Sequence, residues 1–123
     1  MNPLSENITK GTFGELLVQL RLLQYGIQAA PPIKDSGNDL IAIRGENFRA
    51  IQVKTRTEPP RKINDLPYLY HILAIVILDP AGSGTELSID RCGIFLFSKD
   101  EVESGLTYEE HNLISQRRIN ELF

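Results

Sequence analysis

Cysteine, histidine and long apolar runs are all scarce in this chain, and each scarcity removes a class of protein. The single cysteine, Cys92, leaves no internal disulfide to form. It flanks an apolar run and reads as a buried thiol. The two histidines, His71 and His111, have no Cys/His spacing around them and do not suggest zinc. No stretch approaches the roughly 20 apolar residues of a membrane helix. The opening MNPLSENITK lacks the apolar core of a signal peptide, so the expectation is a cytoplasmic protein with no membrane contact. Without secretion, the acceptor-like Asn7-Ile8-Thr9 carries no meaning. The glycines around Ala81–Thr85 lack the Gly-Lys-Ser/Thr end of a phosphate-binding loop, and nothing marks a nucleophile elbow.

Excess positive charge is lacking too. The formal net charge of −3 speaks against a generic nucleic-acid coating protein, because phosphate affinity comes largely from Lys and Arg. The distribution says more than the total. Residues 44–62 hold six basic and two acidic residues, whereas residues 98–123 hold three basic and six acidic. At 123 residues and 41% hydrophobic content the chain reads as one domain, 1–123, with a real core.

Apolar residues at Phe13, Leu16, Leu17, Leu20 and Leu23 predict a helix over 9–25 with one buried face, stopped by Gly26. Glu15 lies off the centre of that stripe, near Val18 and Leu22. A short strand over 27–30 ends at Pro31-Pro32, and a turn-rich loop spans 34–38. Residues 40–44 and 48–56 read as a hairpin around Gly45-Glu46-Asn47. Pro59-Pro60 breaks the second strand. Residues 66–70 suggest a short helix with Pro67 in its first turn. The apolar run 72–78 is a strand buried on both faces. A Gly/Ser loop over 79–90 leads to a strand over 93–97. Ser98 caps a helix from Lys99, with Glu101 at the capping-box position, and the tail from about 109 to 123 is helical and amphipathic. A sheet with one all-apolar strand must be covered on both faces, so the class is α/β, a central mixed sheet flanked by helices.

The chemistry gathers in SGNDLIAIRGENFRAIQVKT, residues 36–55. Alternation along a strand puts Gln52 and Lys54 on one face and Val53 on the other. An adjacent strand brings Asp39 beside them. A carboxylate, an amide and an ammonium then converge, a set that suits a divalent metal and a phosphate. As expected geometry, Asp39, Gln52 and Lys54 line one cleft at the sheet edge, and Glu15 faces it from the helix.

An acid on the second strand followed by a polar-x-Lys triplet on the third resembles the PD-(D/E)xK nuclease superfamily. With Gln in the triplet it is similar to the branch that includes type IV restriction endonucleases. Lys10-Gly11-Thr12-Phe13-Gly14-Glu15 resembles the first helix of that branch and of archaeal Holliday junction resolvases. The resemblance covers roughly residues 10–80. It implies a restriction-endonuclease-like αβββαβ core and an endonuclease that hydrolyses DNA with Mg²⁺ or Mn²⁺. It implies that Asp39, Gln52, the Val53 carbonyl and Glu15 hold the metal, and that Lys54 serves the attacking water. Lys10, Arg56, Arg61 and Lys62 are the candidate DNA contacts. Tyr68 and Tyr70, beside Arg61 and Lys62, read either as base-stacking residues or as half-buried core.

Gln52 departs from the acid usual at its position, and an amide oxygen is a weaker ligand than a carboxylate. It either ligates or positions water. Two functional readings follow: a metal-dependent nuclease, or a nuclease fold without catalysis serving as a mobile-element or immunity-type accessory protein. A plain structural domain with a chance triplet is the third. A chain this small has little room for a DNA-reading module, so it recognises DNA structure, acts as a homodimer or relies on a partner protein.

Overall fold

In the computed structural model, residues 6–33, 37–78 and 87–123 are described. A long helix, α1 (Glu6–Gln24), precedes strands β1 (Gln28–Ala30), β2 (Leu40–Arg44), β3 (Asn47–Arg56), β4 (Ile72–Ile77) and β5 (Gly93–Ser98). Helix α2 (Lys99–Ser104) follows directly, and α3 (Gln116–Leu122) ends the chain; single 3-10 turns lie at Ile89–Arg91 and Glu110–Asn112. The five strands stand in sequence order, antiparallel throughout except for the parallel β3–β4 pair. The expected loop over 34–38 falls partly outside the described residues, as do residues 79–86 of the Gly/Ser loop.

Side-chain alternation divides the core in two. Leu40, Ala42, Ile51, Val53, Ala74, Val76, Ile94 and Leu96 meet Leu17, Val18 and Leu22 of α1 together with Ile119 and Phe123 at the C-terminus. On the opposite face Leu73, Ile75, Ile77 and Phe97 meet Tyr70, Leu106 and Val102 of α2. Every residue of β4 is buried, as its continuous apolar run requires when both faces are covered.

The helix starts earlier than its apolar period suggests, at Glu6, so Lys10 lies inside α1 and not at its N-terminus. The buried line also differs. Leu17, Val18 and Leu22 face the sheet, whereas Leu16, Leu20 and Leu23 are exposed. Two apolar stripes lie side by side on α1, and the period alone does not say which one the sheet covers. The helix ends as expected: Gly26, at φ +78°, and Ile27 donate back to Leu23 and Leu22 at 3.0 Å each. The Ser98–Glu101 capping box of α2 forms in both directions.

The helix expected over 66–70 is absent, and the β3–β4 crossover is irregular. Residues preceding proline disfavour the helical region, and this segment holds Pro59, Pro60 and Pro67. Its carbonyls are satisfied instead by side chains from elsewhere. Tyr108 donates to Pro60, Lys54 Nζ to Asp65 at 3.4 Å, Lys99 Nζ to Tyr68 at 2.6 Å and Asn38 Nδ2 to Leu69 at 3.0 Å.

Gly14 sets how closely α1 approaches the sheet. A Cβ there would stand 1.9 Å from Thr55 Oγ1 on β3. Gly14→Ala is therefore expected to destabilise the protein by about 1–3 kcal/mol through overpacking. Urea denaturation should show the loss, and Thr55→Ala in the same chain should recover part of it.

Candidate active site

The site arises from unequal strand lengths. β2 is 5 residues long and β3 is 10, so β3 runs on beyond its neighbour and leaves an open ladder edge facing the segment that leads into β2. Regular pairing ends at Leu40–Ile51. Asp39 extends the ladder with two further bonds. Its own N–H donates to the Ile51 carbonyl at 3.1 Å, and its Oδ2 accepts the Val53 N–H at 2.8 Å. The carboxylate thus takes the place of a backbone acceptor. The N–H and C=O of one strand residue point to the same side, so the Val53 carbonyl is turned toward this notch as well.

Helix α1 brings the second acid. Its Glu15 carboxyl comes within electrostatic reach of Asp39. Burial first, then the Asp39 charge and hydrogen bonding toward Asp39, push the Glu15 carboxyl above its ordinary value of 4.5. Among the described residues, Asp39 is the only charged group shifting it. Two buried oxygens nearby, Asn38 Oδ1 and Thr55 Oγ1, have no hydrogen-bond partner among the described residues.

Gln52 and Lys54 share the face opposite α1, with Val53 on the α1 face, as alternation requires. Gln52 is buried, and its Nε2 donates to the Gly37 carbonyl at 2.6 Å, tying β3 to the segment that enters β2. Lys54 is mostly buried along its stem, and its Nζ lies 3.2 Å from Asp65 Oδ2. Hydrogen bonding to Lys54 is the first cause that lowers the Asp65 carboxyl. The structure therefore brings Glu15 and Asp39 together at the Val53 peptide on the α1 side, away from the face of Gln52 and Lys54, which corrects the expectation of one cleft faced by Glu15. Gln52 is linked through Gly37, and the Lys54 ammonium is drawn to Asp65. Sequence reasoning missed Asp65; it lies in an irregular segment with no periodicity to mark it.

The basic run divides. Arg44 donates to Asn120 Oδ1 at 2.8 Å and Arg49 to the Leu122 carbonyl at 3.1 Å, so both hold α3 at the hairpin end. Two of the six cations of residues 44–62 are therefore committed to packing away from the site. Arg61 and Lys62 line a groove of about 410 Å³ with Leu66 and Tyr70. Arg56 donates to the Thr55 carbonyl. Lys10 is engaged within the fold.

For a metal the test is the donor set. Among the described residues no three His, Cys, Asp or Glu side chains gather as ligands. Two adjoining carboxylates, a backbone carbonyl and orphaned oxygens remain. These are hard oxygen donors, and they fit Mg²⁺ or Mn²⁺ better than a soft metal.

A raised folded-state value for Glu15 means that its contribution to stability is complete below 4.5 and is lost as pH rises through the elevated value. Without metal, Glu15→Gln should melt higher than wild type at neutral pH and no higher in acid. Carbon-detected NMR titration of Glu15 should give an elevated midpoint that falls toward the ordinary value in Asp39→Asn.

No protein-family model and no curated protein matches the chain. Solved structures do. A bacterial homing endonuclease aligns over 94% of this chain and 88% of its own, at 16% identity and a TM-score of 0.57. The Holliday junction resolvase Hjc of Archaeoglobus fulgidus aligns over 79% of this chain and 90% of its own, at 18% identity and a TM-score of 0.42. The homing endonuclease likeness, spanning nearly the whole chain, shows that this mixed five-stranded sheet with its flanking helices is the restriction-endonuclease-like nuclease fold.

Proposed function

We propose that the chain is a Mg²⁺- or Mn²⁺-dependent nuclease domain that hydrolyses DNA phosphodiester bonds. The observation that carries this reading is the Glu15–Asp39 carboxyl pair, seated against the Val53 N–H at the open edge of β3. Like charges held together raise the energy of the metal-free site, and a divalent cation relieves it. The homing endonuclease with which the chain shares its fold adds support for DNA as the substrate.

Asp39, Glu15 and the Val53 carbonyl would hold the metal, with Gln52 contributing an amide oxygen or holding water. When bound, the metal supplies positive charge that polarises a phosphoryl oxygen and makes water a better nucleophile. Asp39 needs no reorganisation to play its part, because the Val53 N–H already fixes it. Lys54 brings an ammonium from the face of β3 opposite α1. Its exchange of the exposed Asp65 for a phosphate oxygen places positive charge where negative charge grows in the transition state. Substrate binding thus releases Lys54 from a partner that holds it in place until then.

The accessory-protein reading draws on two observations: Gln52 stands where an acid is usual, and Asp65 occupies Lys54. Activity separates the two readings. On supercoiled, linear and branched DNA with Mg²⁺ or Mn²⁺, Lys54→Ala should reduce cleavage by about 10²–10³-fold while leaving metal binding intact. Calorimetry should show metal binding lost in Asp39→Ala and weakened less in Gln52→Ala, since Asp39 brings a formal charge and Gln52 only a dipole. Gln52→Glu should bind metal more tightly. Absence of cleavage by both wild type and Gln52→Glu on every substrate would leave the accessory role.

A further inference from the structure

The β3–β4 crossover presents a tyrosine ring to solvent beside the site. Tyr68 is 87% exposed and Leu69 70% exposed, whereas Tyr70, two residues on, is buried in the core. A loose loop would explain such exposure, but this loop is held on both sides of the ring. Lys99 Nζ donates to the Tyr68 carbonyl at 2.6 Å, and Asn38 Nδ2 donates to the Leu69 carbonyl at 3.0 Å. Pro67 packs where Gly37 leaves room: its Cβ lies 3.6 Å from the place a Cβ would occupy, and the φ of +84° there also favours glycine. Gly37 and Asn38 lead straight into Asp39. The exposed ring is therefore fixed to the same short segment that carries the site carboxylate.

One cation stands over the ring, and two more line the adjoining groove together with Glu103. The Lys99 ammonium stands over the Tyr68 ring at 5.0 Å from the centroid, and over Tyr70 at 5.3 Å. Arg61 and Lys62 line the groove that Tyr70 and Leu66 floor. An exposed aromatic face among cations is complementary to a base and its phosphates: the ring stacks on the base while Lys99, Arg61 and Lys62 face the backbone. Bases inside a duplex already have both faces covered. A fixed, protruding ring gains a stacking partner only where a base is unpaired.

We propose that Tyr68 stacks on an unpaired base next to the cleavage site, so that the preferred substrate is DNA with a single-stranded tail or a branch, not continuous duplex. This rests on the nuclease reading for the position of the strand, yet it is tested by binding alone. Labelled single-stranded, tailed-duplex and blunt-duplex DNA would be titrated without divalent metal, with 2-aminopurine at the unpaired position beside the duplex end. Wild type and Tyr68→Phe should bind the tailed DNA with fluorescence quenching. Tyr68→Ala should lose roughly tenfold in affinity for tailed and single-stranded DNA, lose the quenching and keep its duplex affinity. The exposed position means that its melting temperature should not change. Equal loss on all three DNAs, no loss on any, or no DNA binding by wild type would overturn the inference. Tyr68-dependent binding without cleavage under any condition would uphold it while removing the nuclease reading. Cleavage with no dependence of binding on Tyr68 would do the reverse.

Discussion

The hydrogen bond from the Val53 N–H to the Asp39 carboxylate organises the end of this molecule where its two acids meet. It exists because β3 outruns β2, leaving a strand N–H without a backbone acceptor at the point where the chain enters β2. A buried N–H must find a partner. Asp39 supplies one, and in doing so its carboxylate is fixed at the sheet edge. The close approach of α1, permitted by Gly14 against Thr55, then brings Glu15 onto it. One structural requirement thus creates an electrostatically unfavourable pair of acids, a costly arrangement for stability and a useful one for holding a cation.

The irregular crossover works by the same accounting of polar groups. With no helix to satisfy its carbonyls, the segment between β3 and β4 takes donors from Lys54, Lys99, Asn38 and Tyr108. Each of these bonds ties the crossover to a different part of the fold. Two of them reach the site, through Asn38 beside Asp39 and through Lys54 on β3. The segment is thereby fixed without secondary structure, and it carries Asp65 and Tyr68 into defined positions.

At the far end, buried Arg118 does the corresponding work. Its guanidinium donates twice to the Leu96 carbonyl, at 3.2 and 2.9 Å, and pairs with Glu101. Burial pushes the Glu101 carboxyl up, but the Ser98 N–H and Arg118 outweigh it and hold the group below its usual range. The same glutamate therefore caps α2 and anchors α3. With Arg44 and Arg49 also committed to α3, much of the chain's positive charge serves packing.

Period and local chemistry were enough to determine the strands, the Gly26 stop, the Ser98 cap and the shared face of Gln52 and Lys54, because each depends on residues a few positions apart. The strand alternation and the acid ahead of β2 also named Asp39. What lay beyond the sequence depended on contacts between distant segments. Which of two apolar stripes on α1 meets the sheet is seen only in the packed fold, where Gly14 lies close against Thr55. The prolines that disfavour a helix at 66–70 are local, but the donors that satisfy its carbonyls instead, such as Lys99 and Asn38, lie 31 residues away. Asp65 became the partner of Lys54, and Arg44 and Arg49 became part of the α3 dock, only through tertiary packing. The charge of a residue is written in the sequence, but the partner that claims it is chosen by the fold.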